Sequence, residues 1–435
     1  MNNWRKIPFG NILKESRDGE WGEGNNAIGY QLCNIIRGTD FSSLYSMKIE
    51  LPQRWVKDHL IERKKLRPLD IIFEMAGGTA NQSTGRSALI KSSLFNRLID
   101  KPLLCASFCR HLRLDQEHYS PHFIYYLLQA LYDYGYMAVF NIQHTGVSRF
   151  QYTSFKKRTN LNVPPLPIQR KIAAILSAYD DLIENNNRRI AILDKMTEEL
   201  YCEWFVLLRF PGHEKVKIVK GVPEGWEVKK IGECFTTYLG GTPSRDISSY
   251  WGGNIPWINS GEINKLRIIN ASEFITELGY SKSATKIMPV HTTVLAITGA
   301  TLGQVSFTEL EVCANQSVVG IYDDNDLFNY YIFGYINCTI QNLIAKQGGG
   351  GQQHINKDII EKELIILPSQ DLLIEYNRTI IPIFKQIANK YFLNERLKLT
   401  RDRLLSRLMS GKIDVEDLDI LFPTSMQEDK VTTHA

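Results

Sequence analysis

The chain has 435 residues, 43% of them hydrophobic and 23% charged, which is the composition of a folded protein with room for two to four globular units and excludes a disordered one. It contains no apolar run long enough to cross a membrane, and Met1-Asn2-Asn3-Trp4-Arg5-Lys6 lacks the apolar stretch of a secretory signal. The net charge of +4 is unevenly spread: +8 over residues 1–160 (22 basic against 14 acidic), −2 over 161–205, −2 over 206–365 and 0 over 366–435, so attraction to polyphosphate by bulk charge is available to the first segment alone.

In chain order, residues 1–160 predict a mixed, turn-rich domain. Within it, Gly78-Thr79-Ala80-Asn81-Gln82-Ser83-Thr84-Gly85-Arg86-Ser87 has the flavour of a phosphate loop, but the spacing is wrong and Arg86 stands where Lys is needed. Cys105, Cys109 and His111 are close enough in sequence to suggest a metal, yet no second ligand pair follows at finger-like spacing. The seven scattered cysteines instead predict free, buried thiols in a reducing cytoplasm.

Residues 161–205 predict a long helix. After Pro167, Leu176, Ile183, Ile190, Thr197 and Trp204 fall seven apart, and Tyr179, Asn186, Leu193 and Leu200 fall three residues after the first four. That is an a/d seam, which needs a covering helix, with Asn186 as a register-fixing polar position. Helical throughout, the segment from 168 to 205 spans ~57 Å.

Residues 206–365 repeat the mixed layout. Thr293–Ile297 and Ser317–Tyr322 read as short strands, and Gly240–Pro243, Trp251–Asn254 and Gly348–Gly351 as loops. Residues 366–413 predict the second helix, with Ile380, Phe384, Ile387 and Tyr391 on one seam, a skip in register to Leu397, Leu404 and Leu408, a kink at Pro382 and a stop at Gly411. Residues 414–435 are expected to be a flexible tail.

The chain also repeats itself weakly but in order. Trp4…Gly10 matches Trp226…Gly232, Pro68…Gly78 matches Pro289…Gly299, Cys105-Ala106…Asp115 matches Cys313-Ala314…Asp323, and Gln151…Lys156…Pro167…Gln169 matches Gln352…Lys357…Pro368…Gln370. A duplicated unit packing as a pair predicts an α+β fold. Two pseudo-symmetric mixed α/β domains are separated by two long antiparallel helices that form an intramolecular coiled coil. Two ordinary core helices of one large domain are the plainer alternative. No catalytic motif survives inspection: there is no glycine-rich dinucleotide turn and no zinc-protease run, and Val163-Pro164-Pro165-Leu166 lacks both ends of the amino-methyltransferase motif.

The sharpest signature is in the second copy. Gly240-Gly241-Thr242-Pro243-Ser244-Arg245, then Tyr250-Trp251-Gly252-Gly253-Asn254-Ile255-Pro256-Trp257-Ile258-Asn259-Ser260-Gly261, resembles the start of a target-recognition domain in type I restriction–modification specificity subunits. Thr298–Gly303, Ala314-Asn315-Gln316, the Gly-rich stretch before Gln352-Gln353-His354-Ile355, Pro165-Leu166-Pro167-Ile168-Gln169, Leu367-Pro368-Ser369-Gln370 and Leu404–Ile413 continue the likeness in order. The first domain departs from it, keeping only echoes such as Gly77-Gly78 and Ala106–Arg110.

The resemblance implies a non-catalytic subunit that reads a bipartite double-stranded DNA target, one half per domain. It implies a scaffold for two methyltransferase and two restriction/translocase subunits. The cofactors, S-adenosylmethionine, ATP and Mg, would then be held by those partners and none by this chain. Rival readings are a coiled-coil assembly scaffold without DNA reading and a stand-alone enzyme with an unfamiliar site. By the rules of base and phosphate recognition, the DNA-contact candidates are Arg86, Arg149, Gln151, Tyr152 and Lys156 in the first domain. In the second they are Arg245, Gln347, Gln352, Gln353 and Lys357. Trp251 and Trp257 read as core anchors.

Overall fold

The computed structural model describes residues 4–46, 49–78, 82–98, 100–144, 147–345 and 355–427. The chain divides into two compact units, Met1–Arg188 with Asn394–Ala435, and Arg189–Leu393. Among the described residues no helix is long and apolar enough to cross a membrane.

The first unit is closed by its own ends: strand Arg5–Pro8 pairs antiparallel with Asn160–Val163. Residues 161–163, assigned above to the helix, are therefore sheet. An antiparallel four-stranded sheet runs in the order Leu13–Asp18, Cys109–Leu114, Ile71–Glu74, Ser87–Leu89. Ile71, Ile72 and Phe73 are fully buried, as an unbroken apolar run covered on both faces should be. A second sheet has Tyr30–Ile36 between antiparallel Gln53–Lys57 and parallel Leu103–Cys105. Helix α1, Pro121–Asp133, starts with Ser120 accepting from the Phe123 amide and Pro121 in its first turn. The short helix α2, Tyr152–Arg158, follows the hairpin Asn141–His144/Val147–Phe150.

The second unit repeats the closing ladder and the two main sheets. Glu227–Lys230 pairs with Leu364–Leu367 as its closing ladder. Thr236–Leu239, Val318–Tyr322, Thr293–Ala296 and Val305–Thr308 repeat the four-strand order, with Arg267–Ile268 added at the edge. Trp251–Ile258 lies between antiparallel Glu273–Ile275 and parallel Cys313–Ala314. Even a backbone exception repeats: Leu69 and His291, at corresponding places before the central strand, both have φ of 69°. The sequence repeat is thus a repeat of structure.

Two long helices serve both units. Helix α3, Leu166–Tyr201, ends in a π turn, Cys202–Val206, that places both Trp204 and Phe205 in the core. The second unit's own long helix, α4, is Asn329–Ala345. Helix α5, Gln370–Met409, runs continuously through Pro382 and stops at Gly411, whose φ of +70° ends it in the left-handed conformation. Inside the first unit Asp180 meets Arg401 and Asn186 meets Asn394. Inside the second, Trp204 packs on Tyr376 at 5.6 Å. α3 and α5 therefore run antiparallel in each.

The seam residues Leu176, Ile183, Asn186, Ile190, Phe384 and Ile387 are buried, and Tyr179, Leu193, Leu200 and Tyr391 are half-buried. The expected skip in register is not there. Ile380, Ile387, Asn394, Arg401 and Leu408 continue at seven-residue spacing, and the first three and Leu408 are buried. The seam turns polar at Asn394 and Arg401, which hid it from an apolar count.

The expected flexible tail is also corrected over its described part. Val415 and Met426 are buried in the first unit's core, with Ile420 and Phe422 packed on it. The Ser425 amide donates to Asp181 Oδ2 at 3.2 Å.

Candidate nucleic-acid interface

In the first unit a surface groove of about 620 Å³ opens where α2 meets the strand Cys109–Leu114. Arg110, Gln151, Tyr152, Thr153, Lys157 and Arg158 line it. Arg110 stacks over the Tyr152 ring at 4.4 Å and donates through Nη1 to Ser16 Oγ at 3.1 Å and through Nη2 to Asp18. The Tyr152 hydroxyl bonds Ser16 Oγ at 2.8 Å. Lys157 and Arg158 project from the last turn of α2, exposed. Three cations, an exposed amide and two hydroxyls on one concave surface suit a polyanion with hydrogen-bonding edges.

The structure sorts the sequence candidates of this unit. Gln151 is exposed at the groove, and Arg149 and Lys156 are exposed beside it in sequence. The Lys156 stem lies against Gly10, where an added Cβ would come within 3.1 Å of it. Tyr152 is a wall rather than a free contact: its ring is buried in the core, and burial pushes its hydroxyl pKa up. Arg86 is a structural ion-pair residue. Its Nε donates to Glu74 Oε2 at 2.9 Å and its Nη2 to the Gly38 carbonyl at 3.2 Å. Glu74 is 1% exposed, so withdrawing Arg86 to a base would strand a buried carboxylate.

In the second unit Arg245 lies over Trp251 at 3.7 Å and Trp257 at 5.0 Å, and its Nη2 donates to Glu273 Oε1 at 3.1 Å. The two indoles fasten the same loop, Trp257 Nε1 to the Gly241 carbonyl at 3.0 Å and Trp251 Nε1 to the Ser244 carbonyl at 3.1 Å. The Gly-Gly-Thr-Pro-Ser-Arg motif and its tryptophans are thus one scaffold that presents a half-exposed guanidinium. Lys357 is held by Glu361 at 3.2 Å at the start of a short helix. Gln347, Gln352 and Gln353 lie outside the described residues.

Sequence reasoning missed Arg110, Lys157 and Arg158. The run Lys156-Lys157-Arg158 was a visible signal; Arg110 is brought to α2 only by the pairing of Leu13–Asp18 with Cys109–Leu114. The first glycine of the motif also has a true counterpart that was not seen. A Cβ on Gly240 would stand 2.0 Å from the Asn315 carbonyl oxygen, and one on Gly19 would stand 2.2 Å from that of Ala106. Gly19, not Gly77-Gly78, is therefore the first domain's equivalent.

As for metals, Cys105, Cys109 and His111 are buried, and desolvation raises both thiol pKa values and lowers that of the imidazole to about 4. Among the described residues one group has metal-ligand spacing, Asp115, Glu117 and His118; it sits at the surface with His118 Nδ1 2.9 Å from Asp115.

Comparison with known proteins agrees with this geometry. The family described as the type I restriction modification DNA specificity domain matches twice, over residues 77–195 and 223–400. The MjaIX specificity subunit of Methanocaldococcus jannaschii is 29% identical over 272 residues, covering 60% of this chain and 62% of that protein. The HindI specificity subunit of Haemophilus influenzae is 21% identical over 480 residues, covering 95% and 100%. The crystal structure of a type I restriction–modification S subunit from M. genitalium superposes with a TM-score of 0.56 at 16% identity, over 94% of this chain and 96% of that one, a likeness of fold.

Proposed function

This chain belongs to the type I restriction–modification DNA specificity family and is a non-catalytic specificity subunit, and we propose that it reads a split double-stranded DNA target, one half with each unit. The observation that carries this reading is the repeated fold, matched by the family in both halves, with an exposed cationic groove in the first unit and a preorganised arginine in the second. Gln151 is suited to an adenine edge, Arg149 and Arg245 to guanine, and Lys157, Arg158 and Lys156 to phosphates. α3 and α5 touch no bases and set the unread gap, with half-site centres about 34–36 Å apart for readers on one face of the duplex.

The active complex adds two methyltransferase subunits that bind S-adenosylmethionine and methylate adenine. Two restriction/translocase subunits use ATP and Mg, and all work in the cytoplasm. The missing catalytic motifs support that division of labour.

The test is a methylome. Co-expressed with its methyltransferase partner, the chain should direct methylation to one interrupted motif that is absent when the chain is omitted. Methylation at a continuous motif, or the same motif without this chain, would refute the reading.

A further inference from the structure

One polar network in the first unit joins three helices through a single carboxylate. Tyr126 of α1 donates its hydroxyl to Asp180 Oδ2 of α3 at 2.6 Å, with Ser177 Oγ 3.3 Å away. The other oxygen of Asp180 accepts from Arg401 Nη1 of α5 at 2.6 Å. Arg401 is completed by Asp402 Oδ1, at 3.0 Å from Nε and 2.8 Å from Nη2. Asp133 lies seven residues after Tyr126 on the same face of α1; burial and the Asp402 charge raise its pKa, and Arg401 opposes that rise. Arg401 thus binds two carboxylates, Asp180 and Asp402, and Tyr126, 5% exposed, has its hydroxyl committed to α3.

The surroundings of this network are apolar. Phe123, Ile124 and Leu127 of α1 share one core with Ala173 and Leu176 of α3 and Leu408 of α5. Apolar burial is non-directional and tolerates small slides between helices. Hydrogen bonds of 2.6 Å through one carboxylate fix both distance and angle.

We propose that Tyr126, Asp180 and Arg401 are positioning residues that hold the first recognition domain at one angle on its helices and so enforce the length of the unread gap. This rests on the split-target reading above. A domain free to swing reads its half-site at the wrong gap at lower cost, so loss of the network weakens discrimination without changing which bases are read.

The test uses the complex with its methyltransferase subunits. Initial methylation rates are compared on duplexes that carry the native half-sites and a gap of native length, or one base pair longer or shorter. In Tyr126→Phe and Asp180→Asn the ratio of native-gap to wrong-gap rates should fall about five- to tenfold, the scale of one lost hydrogen bond. The native-gap rate should stay within about twofold, and Arg401→Lys should keep more discrimination than Arg401→Gln. An unchanged ratio in both Tyr126→Phe and Asp180→Asn overturns the proposal, as does an equal rate loss on all three gaps, which marks a merely structural role. A wild-type complex indifferent to gap length defeats the split-target reading instead.

Discussion

Asn186 Nδ2 donates to Asn394 Oδ1 at 2.9 Å, and Asn394 Nδ2 donates in turn to Asn187 Oδ1 at 2.8 Å. Asn186 and Asn394 are 8% and 3% exposed at seam positions, where an apolar side chain would bury more surface. Their cost is the cost of register: each amide is satisfied only when α3 and α5 are aligned as they are. Asn394→Leu should destabilise the first unit by about 1–3 kcal/mol, because Asn186 loses its buried partner. Asn186→Leu/Asn394→Leu should recover most of that loss and loosen the register. Thermal unfolding of the four members of the cycle checks it; a double mutant less stable than either single one contradicts it.

Gly19 and Gly240 should tolerate no side chain. Neither has a positive φ; the constraint is the carbonyl row of Cys105-Ala106 in one unit and Ala314-Asn315 in the other. A methyl group there meets backbone, which cannot rotate away. Gly19→Ala and Gly240→Ala should each cost several times the ~1 kcal/mol typical of an ordinary substitution. Gly29→Ala, at φ of +78° with nothing within 4 Å, should cost only its backbone strain, about 1–2 kcal/mol. Denaturant titration of the three variants ranks them. Gly29→Ala as damaging as the other two would show that conformation, not contact, sets the cost.

That pair of glycines also marks what the sequence reveals. Periodicity exposes α3 because its seam is almost wholly apolar, and the order-preserving matches expose the duplication because each unit has a Cys-Ala at the parallel edge strand of its three-stranded sheet. The polar stretch of α5 read as a shifted register because Asn394 and Arg401 earn their seam places by pairing across helices, a relation with no local signature. Arg86 looked like a reader and is the counter-ion of Glu74, whereas Arg110 looked ordinary and reaches the groove. Charge type is legible in a sequence; the partner of a charge depends on strand pairing.

The second unit should lose stability as pH rises through neutrality. Arg267 is 0% exposed, its Nε 3.5 Å from Glu309, with Phe384 at 4.3 Å and Phe333 at 4.9 Å from the guanidinium. Burial raises the Glu309 pKa to about 7, opposed by the Arg267 charge. An acid whose pKa is higher folded than unfolded holds its proton more tightly in the native state. The stability it contributes is complete below about 4.5 and is lost as pH rises through about 7. The slope cannot exceed about 1.4 kcal/mol per pH unit. The melting temperature of the second unit should fall between pH 5 and pH 8 in the wild type and change little in Glu309→Gln. Parallel pH profiles for the two proteins would assign the effect to another group.

The groove residues should separate by their effect on salt and on sequence. Lys157 and Arg158 are exposed and carry no sequence information if they meet phosphates. Lys157→Gln and Arg158→Gln should weaken binding by similar factors on specific and non-specific duplexes, each reducing the salt slope by about 1. Gln151, exposed at the groove, should behave oppositely: Gln151→Ala leaves the slope intact and relaxes preference at one base pair by about 1–3 kcal/mol. Arg86→Gln serves as the control, since its damage is to Glu74 and hence to folding, measurable as a lower melting temperature in the absence of DNA. Fluorescence anisotropy over a salt series, with the assembled complex and duplexes altered one base pair at a time, distinguishes the three classes. Were Gln151→Ala to lower the salt slope and leave base preference untouched, the groove would be a phosphate track, and the bases would be read elsewhere in the first unit.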